Sequence, residues 1–557
     1  MDLELLLTHA DDHRPTLEQG LPLQSVGSQP KPPPGEMPTH LWDSGRDPND
    51  LSAQRWGVLA PEGPAGDRLL ALIEPLCRLR QEAQGTPIRV YRAPPNLDAP
   101  AAVRWKKQVI QDEAIPELQR TRYLLMLGDL DQLSLELQQI LSDEGFIGRL
   151  AFSRDADYEA YVEKVLRWEK KPAPTQARAL FYTAHDGTRA TSLGYQALIK
   201  PSLKLCRERQ KEGDFPAREI LELGEGEGGS VDRLLAQVAL PEPSLLFSMS
   251  HGLGAPRQGW KSVDAQHRLQ GAMSLGVGQV LDAEALANQP FLPGGLWFYL
   301  SCFGAGTPSR SAFATWLSQL REAGRFSGQL DSLLASLPRE GERPFIAALP
   351  KAVLANPQGP LAVMGHADLA WSYSFQDEGP GTTNRPSRFQ GLLRSMVLGR
   401  RAGVGLNALL RFFVDTNTAL TALYEQQEEA QRLGRPNPVD LTQRAHLWML
   451  RQDLAGYVLL GDPAVQLPVT PAQPRKAAQP ASVRELAFSV LGMPVAASEP
   501  LPSAEKMAEA VLALFSGAEA SRAIADRLGV SLKQLREWER IYKEAGLAAL
   551  ERLRSQS

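Results

Sequence analysis

At 557 residues, 43% of them hydrophobic, the chain can bury a large core and has room for about three or four folding units. A formal charge of −4 excludes a global basic field, so bulk attraction to nucleic acid or to a membrane surface is not expected. An odd count of three cysteines without paired spacing argues against a disulfide scaffold and against zinc, and no metal or cofactor is indicated.

The chain opens with MDLELLLTHADDHR, an acidic stretch without a basic leader region or a cleavage site, so a cytoplasmic location is the expectation. The Pro-rich QPKPPPGEMP that follows buries little apolar surface, and residues 1–54 are expected to form a flexible arm. From Arg55 the pattern alternates between strand-like and helix-like runs: RWGVLAP, a helix through LLALIEPLCRLR, PIRVYRAPP, a helix through WKKQVIQDE, then RYLLMLGD. Residues 55–178 are therefore expected to form an α/β subdomain, one without a convergent nucleophile and base.

A second α/β unit is expected over 179–468. It starts at RALFYTA and continues through helix LIKPSLKLCRERQ, strand AREILELG and helix VDRLLAQVA. Two strands follow, PSLLFSMSHG and GLWFYLSCFG, each ending on a reactive side chain beside glycine or aromatic-glycine. Strands separated by helices imply parallel crossovers and a sheet covered on both faces, with chemistry at the C-terminal edge of the sheet. Cys302 follows His251 by about fifty residues, as in caspases. If the two strands are neighbours, Cys302 is the candidate nucleophile and His251 its base and later its acid. The backbone N–H groups of Gly252 and Cys302 are placed to donate to a tetrahedral oxyanion. The competing reading is a buried structural cysteine beside a satisfied core histidine.

Between these strands, RLQGAMSLGVGQVL suits a hairpin that walls the cleft, with His267 exposed on it. His185 and His366 follow other strands of the unit. His366 and Asp368 read as a structural hydrogen-bonding pair at a strand end. Residues 387–457 read as largely helical, and the unit closes at LLGDPAVQLP. A Pro/Ala-rich linker is expected over 469–500.

Residues 501–557 carry three helical patterns, the second and third joined by a short turn at Gly529, with Ala525, Leu528, Leu535 and Trp538 set to pack the pair. This segment resembles a transposase-like helix-turn-helix. Nine Lys/Arg against eight Asp/Glu leave it a net charge of +1, a poor basis for autonomous DNA binding, so a DNA and a protein partner are equally open.

Taken together, YTAHDGTRATS, SMSHGLG, HRLQGAMSLG, LSCFGAGTP, LAVMGHADLAW and LLGDPAVQLP resemble the caspase-like clan of cysteine peptidases, most of all bacterial CHAT and gingipain-type relatives. The resemblance implies an α/β fold of caspase/gingipain-like parallel-sheet units, with 55–178 as the supporting subdomain and 179–468 as the catalytic domain, extended here by the small all-α helix-turn-helix domain. It implies a cysteine endopeptidase acting on a protein substrate through a Cys302/His251 dyad, in a regulated stress or defence setting. It also places Asp186 of AHDGT in the S1 pocket, where a carboxylate would select a basic P1 residue. A turn aspartate is the other reading of Asp-Gly, and Arg189 leaves an acidic P1 open. The alternative function is a helix-turn-helix DNA-binding regulator whose peptidase-like domain senses without cleaving.

Overall fold

The computed structural model describes residues 2–470, except 18, 23–24, 26–46, 172, 175, 225–230, 277, 325–327 and 378–382, together with Leu535. The chain divides into a unit of residues 1–473 and a second of residues 474–557. The expected linker from residue 471 on, and the expected helix-turn-helix apart from Leu535, lie outside the described residues.

The first unit is α/β. Among the described residues its main sheet has ten strands: β1 Trp56–Pro61, β2 Arg89–Ala93, β3 Tyr123–Leu127, β4 Phe146–Leu150, β5 Ala177–Thr183, β6 Ala217–Glu222, β7 Ser244–Met249, β8 Leu296–Leu300, β9 Ala362–His366 and β10 Tyr457–Gly461. Their order across the sheet is β2-β1-β3-β4-β10-β9-β8-β7-β5-β6. Most of these strands are buried along their whole length, as a sheet covered on both faces requires. Alternation along β1 and β3 shows both faces covered. Val58, Ala60, Tyr123 and Leu125 join the large core with Leu69 and Leu76, whereas Leu59, Leu124 and Met126 face a second core with Trp105 and Leu137.

Neighbouring strands are parallel except for β9 and β10, which pair antiparallel from Ala362↔Gly461 to His366↔Tyr457. On its other side β10 runs parallel to β4 through Leu460↔Arg149. The stretches expected as two α/β units, 55–178 and 179–468, thus contribute to one continuous sheet. Directly after β10, Asp462 accepts from Trp56 Nε1 at 2.9 Å and from Arg80 Nε at 2.7 Å, and Tyr161 Oη accepts from its backbone N–H at 2.7 Å. The helical expectation for 387–457 appears as Ser387–Val397, Ala402–Arg432 and Leu441–Ala455. Among the described residues no helix is long and apolar enough to cross a membrane.

The expectation of a flexible arm over 1–54 is corrected for the residues described there. The run LELLL at positions 3–7 supplies four leucines that are 0–3% exposed, and each buried leucine contributes about 1.5–3 kcal/mol. The Leu7–His9 strand is the edge of a second, four-stranded sheet that continues through His251–Gly254, Met273–Gly276 and Gln279–Leu281. His9 anchors it, with Nδ1 2.8 Å from the Ala255 carbonyl and Nε2 3.1 Å from Ser332 Oγ. Further on, Trp316 Nε1 donates to the Ser25 carbonyl at 2.7 Å. Proline content governed the expectation; the leucine run ahead of it governs the structure.

Candidate active site

The register of β7 on β8 sets the site. The two strands pair in parallel from Leu245↔Leu296 to Met249↔Leu300, so two residues beyond each strand His251 and Cys302 stand level at the C-terminal edge. Both are fully buried. The backbones approach so closely here that a Cβ on Gly252 would lie 1.9 Å from the Cys302 carbonyl oxygen, which is why glycine follows the histidine. Past the cysteine, Phe303 turns the chain at φ +55°, a left-handed conformation that costs a non-glycine residue about 1–2 kcal/mol. The turn is held by the loop after β9: Phe303 N donates to the Asp368 carbonyl and Ala305 N to the His366 carbonyl, both at 2.9 Å. Cys302 Sγ accepts from Ala370 N at 3.2 Å and lies 3.6 Å from the Ala370 carbonyl oxygen.

His251 faces the segment that follows β5. Its Nε2 is 2.9 Å from Thr188 Oγ1 and 3.6 Å from Asp186 Oδ2. Thr188 Oγ1 donates to Asp186 Oδ1 at 2.8 Å, and Thr191 Oγ1 donates to the same oxygen at 2.6 Å. With its own proton committed to the carboxylate, the Thr188 oxygen accepts from Nε2–H. That assigns the proton to Nε2 and leaves Nδ1 with a lone pair. Among the described residues Nδ1 has no hydrogen-bond partner. Asp186, expected in an S1 pocket, is committed instead to His251 and the two threonines, with its side chain 3% exposed.

Electrostatics follow burial. Desolvation pulls the His251 imidazole down to about 4, opposed by the charge of Asp186. Desolvation drives the Cys302 thiol well above the ordinary thiol range; the Ala370 and Leu6 backbone hydrogen bonds pull the other way, and nearby Asp368 and Asp453 push with burial. In the geometry shown, thiol and imidazole are both neutral.

The expected oxyanion donors converge. Gly252 N–H and Cys302 N–H both donate to one oxygen, the backbone carbonyl of Leu6, at 2.8 and 3.1 Å. This brings a residue from the chain's opening segment to the ends of β7 and β8, a position that sequence reasoning missed. The leucine run that contains it was the available signal.

The other histidines have separate tasks. His366 sits between backbone groups, Nδ1 2.9 Å from the Asp368 carbonyl and Nε2 2.8 Å from that of Asp453, so its link to Asp368 runs through the main chain. His185 is exposed beside the Tyr195 ring, 4.9 Å between centroids. His267, expected to be exposed on a hairpin, lies instead on the preceding helix Val263–Leu269, partly buried with its ring centroid 4.1 Å from that of Phe345. Asp453 was not singled out by sequence, yet its carboxylate accepts from the N–H groups of Trp371 and Ser374, both at 2.8 Å, and shapes the segment beyond Ala370.

Comparison with protein-family models and with curated proteins gives no match. Among solved structures, the chain is similar to one described as that of a protease, at 12% identity over 81% of this chain and 82% of that chain, with a TM-score of 0.43. It is also similar to the Arg-specific cysteine proteinase gingipain R, at 13% identity over 75% of this chain and 78% of that chain, with a TM-score of 0.40.

Proposed function

We propose that the chain is a cysteine endopeptidase that cleaves a protein substrate through Cys302 and His251, in the manner of the caspase-like peptidases its motifs resemble. The observation that carries this reading is the convergence of the Gly252 and Cys302 N–H groups on a single carbonyl oxygen, next to a thiol and an imidazole delivered by adjacent strands. Two donors at 2.8 and 3.1 Å fit the separation needed to stabilise an oxyanion.

In this reading His251 Nδ1 takes the Sγ proton as the thiolate attacks the substrate carbonyl, and the developing oxyanion accepts from the two N–H groups. The imidazolium then protonates the departing amine, and a water molecule, activated by the same nitrogen, releases the acyl group. Thr188 and Asp186 hold the ring in the Nε2–H form and stabilise its cationic state. The P1 selection expected of Asp186 is set aside, because its carboxylate is committed to the histidine. Residues 501–557 would bring the enzyme to a DNA or protein partner.

The test is irreversible labelling of Cys302 by peptidyl electrophiles, read by mass spectrometry, alongside a search for new protein N-termini in cells. Cys302→Ala and His251→Ala should abolish cleavage, while Cys77→Ala and Cys206→Ala retain it. Turnover by the Cys302→Ala protein would remove the proposal. Tight, salt-sensitive duplex binding by a protein that never labels would favour the regulator.

A further inference from the structure

The opening segment runs between the loop that carries Ala370 and Trp371 and the strand His251–Gly254. On the amino side of Leu6, its N–H donates to the Ala370 carbonyl at 3.5 Å, and Leu5 forms an antiparallel bridge with Trp371. Glu4 pairs with Arg189 at 2.8 Å, on the helix that Thr188 caps. On the carboxyl side, Leu7–His9 runs parallel to His251–Gly254, with Gly252 opposite Leu7. Between these contacts the Leu6 carbonyl takes both candidate oxyanion donors, and Leu6 is 3% exposed. An edge strand needs no such arrangement, since a ladder carbonyl ordinarily accepts from one N–H of one neighbour. Here the second donor is the amide of the candidate nucleophile itself.

Resting on the peptidase reading above, we propose that residues 4–7 occupy the cleft as a tethered substrate analogue. Leu6 holds the P1 position, the S1 subsite takes a leucine-sized apolar side chain, and the opening segment leaves before a protein substrate enters. The full burial of Cys302 and His251 in this geometry is the consequence, since the chain that fills the cleft also removes the dyad from water. The neutral thiol and imidazole belong to this closed form. Because the segment is part of the same chain, its effective concentration at the cleft is about millimolar or higher, and weak contacts suffice to hold it.

The experiment uses the full chain and two variants. Leu6→Gly removes the P1 side chain, and Arg189→Glu, at an exposed position, sets a like charge against Glu4 without touching the core. Alkylation of Cys302 by iodoacetamide, resolved from Cys77 and Cys206 by peptide mapping, should be slow in the parent and about tenfold or more faster in both variants. Peptidyl electrophiles bearing Leu, Arg or Asp at P1 should then label the variants in the order leucine first. A synthetic peptide of residues 2–9 should slow that labelling again. Equal alkylation in parent and variants overturns the tethered segment. Labelling that prefers Arg or Asp overturns the P1 assignment while leaving the peptidase standing. Faster alkylation with no peptidyl labelling overturns the peptidase reading and the P1 assignment with it, and leaves only a covered thiol.

Discussion

Asp186 Oδ2 lies 3.6 Å from His251 Nε2, and the Thr188 hydroxyl that donates to the same carboxylate is 2.9 Å from that nitrogen. In the proposed peptidase this relationship makes Asp186 a positioning residue for the imidazole. Asp186→Asn should therefore lower kcat by about 10²–10⁴-fold with an unchanged P1 profile, because an amide can present N–H to Nε2 and stabilise the wrong tautomer. The check is a P1 library run on both proteins. A changed P1 preference with kcat preserved would return the carboxylate to S1.

Gly252→Ala should damage both stability and activity. The added Cβ would meet the Cys302 carbonyl at 1.9 Å, so β7 and β8 must separate at their ends. Forcing volume into packed backbone costs about 1–3 kcal/mol, visible as a lower urea midpoint. In the proposed peptidase the same displacement moves an oxyanion donor, and activity should fall by about 10²-fold or more. Activity within about twofold of the parent would contradict that donor's role.

Asp462 ties the end of β10 to Trp56 of β1 and to the helical residues Arg80 and Tyr161. It is fully buried and is the carboxylate partner of the equally buried Arg80, which also reaches Glu169 at 2.6 Å. Asp462→Ala should destabilise the protein by about 3–5 kcal/mol, because the guanidinium loses its buried counterion and the Trp56 N–H its acceptor. Chemical denaturation measures this. A loss below about 1 kcal/mol would show that Glu169 alone satisfies Arg80.

His366 should make stability depend on pH. Burial lowers its folded-state value to about 4, below the ordinary 6.5. Between those values the unfolded chain binds a proton that the folded chain does not. The contribution is thus fully present above about 6.5 and lost as pH falls towards 4, with an upper size of about 3 kcal/mol. Asp453 and Asp368, raised by burial to about 7 and 6, act with the opposite sign over an overlapping range. The histidine is therefore isolated by difference: His366→Gln should gain about 1–3 kcal/mol less than the parent between pH 4 and pH 7. Parallel stability curves for the two proteins would refute this.

The adjacency of the two reactive residues was legible in the sequence. PSLLFSMSHG and GLWFYLSCFG each encode a buried strand by composition and its end by glycine, and two such strands in an α/β order have few places to go except side by side. The helices of 387–457, the strands at 56–61 and 123–127 and the hairpin after His251 were readable for the same reason, since periodicity and turn residues act over a few positions. Nothing local says which way a side chain leaving a strand end will turn. In AHDGTRATS, Asp186 serves a turn, a pocket or a histidine equally well until Thr188, Thr191 and His251 are placed around it. The joining of the sheet through β10 depends on partners about 300 residues away, and the seat of Leu6 on Gly252 depends on one about 250 away; contacts of that range leave no periodic trace in either segment. Sequence alone determined which residues could do chemistry and on which strands they ride. Tertiary packing decided which groups they face and which segment packs over them, because those outcomes depend on the joint burial of segments whose separate patterns are each compatible with several partners.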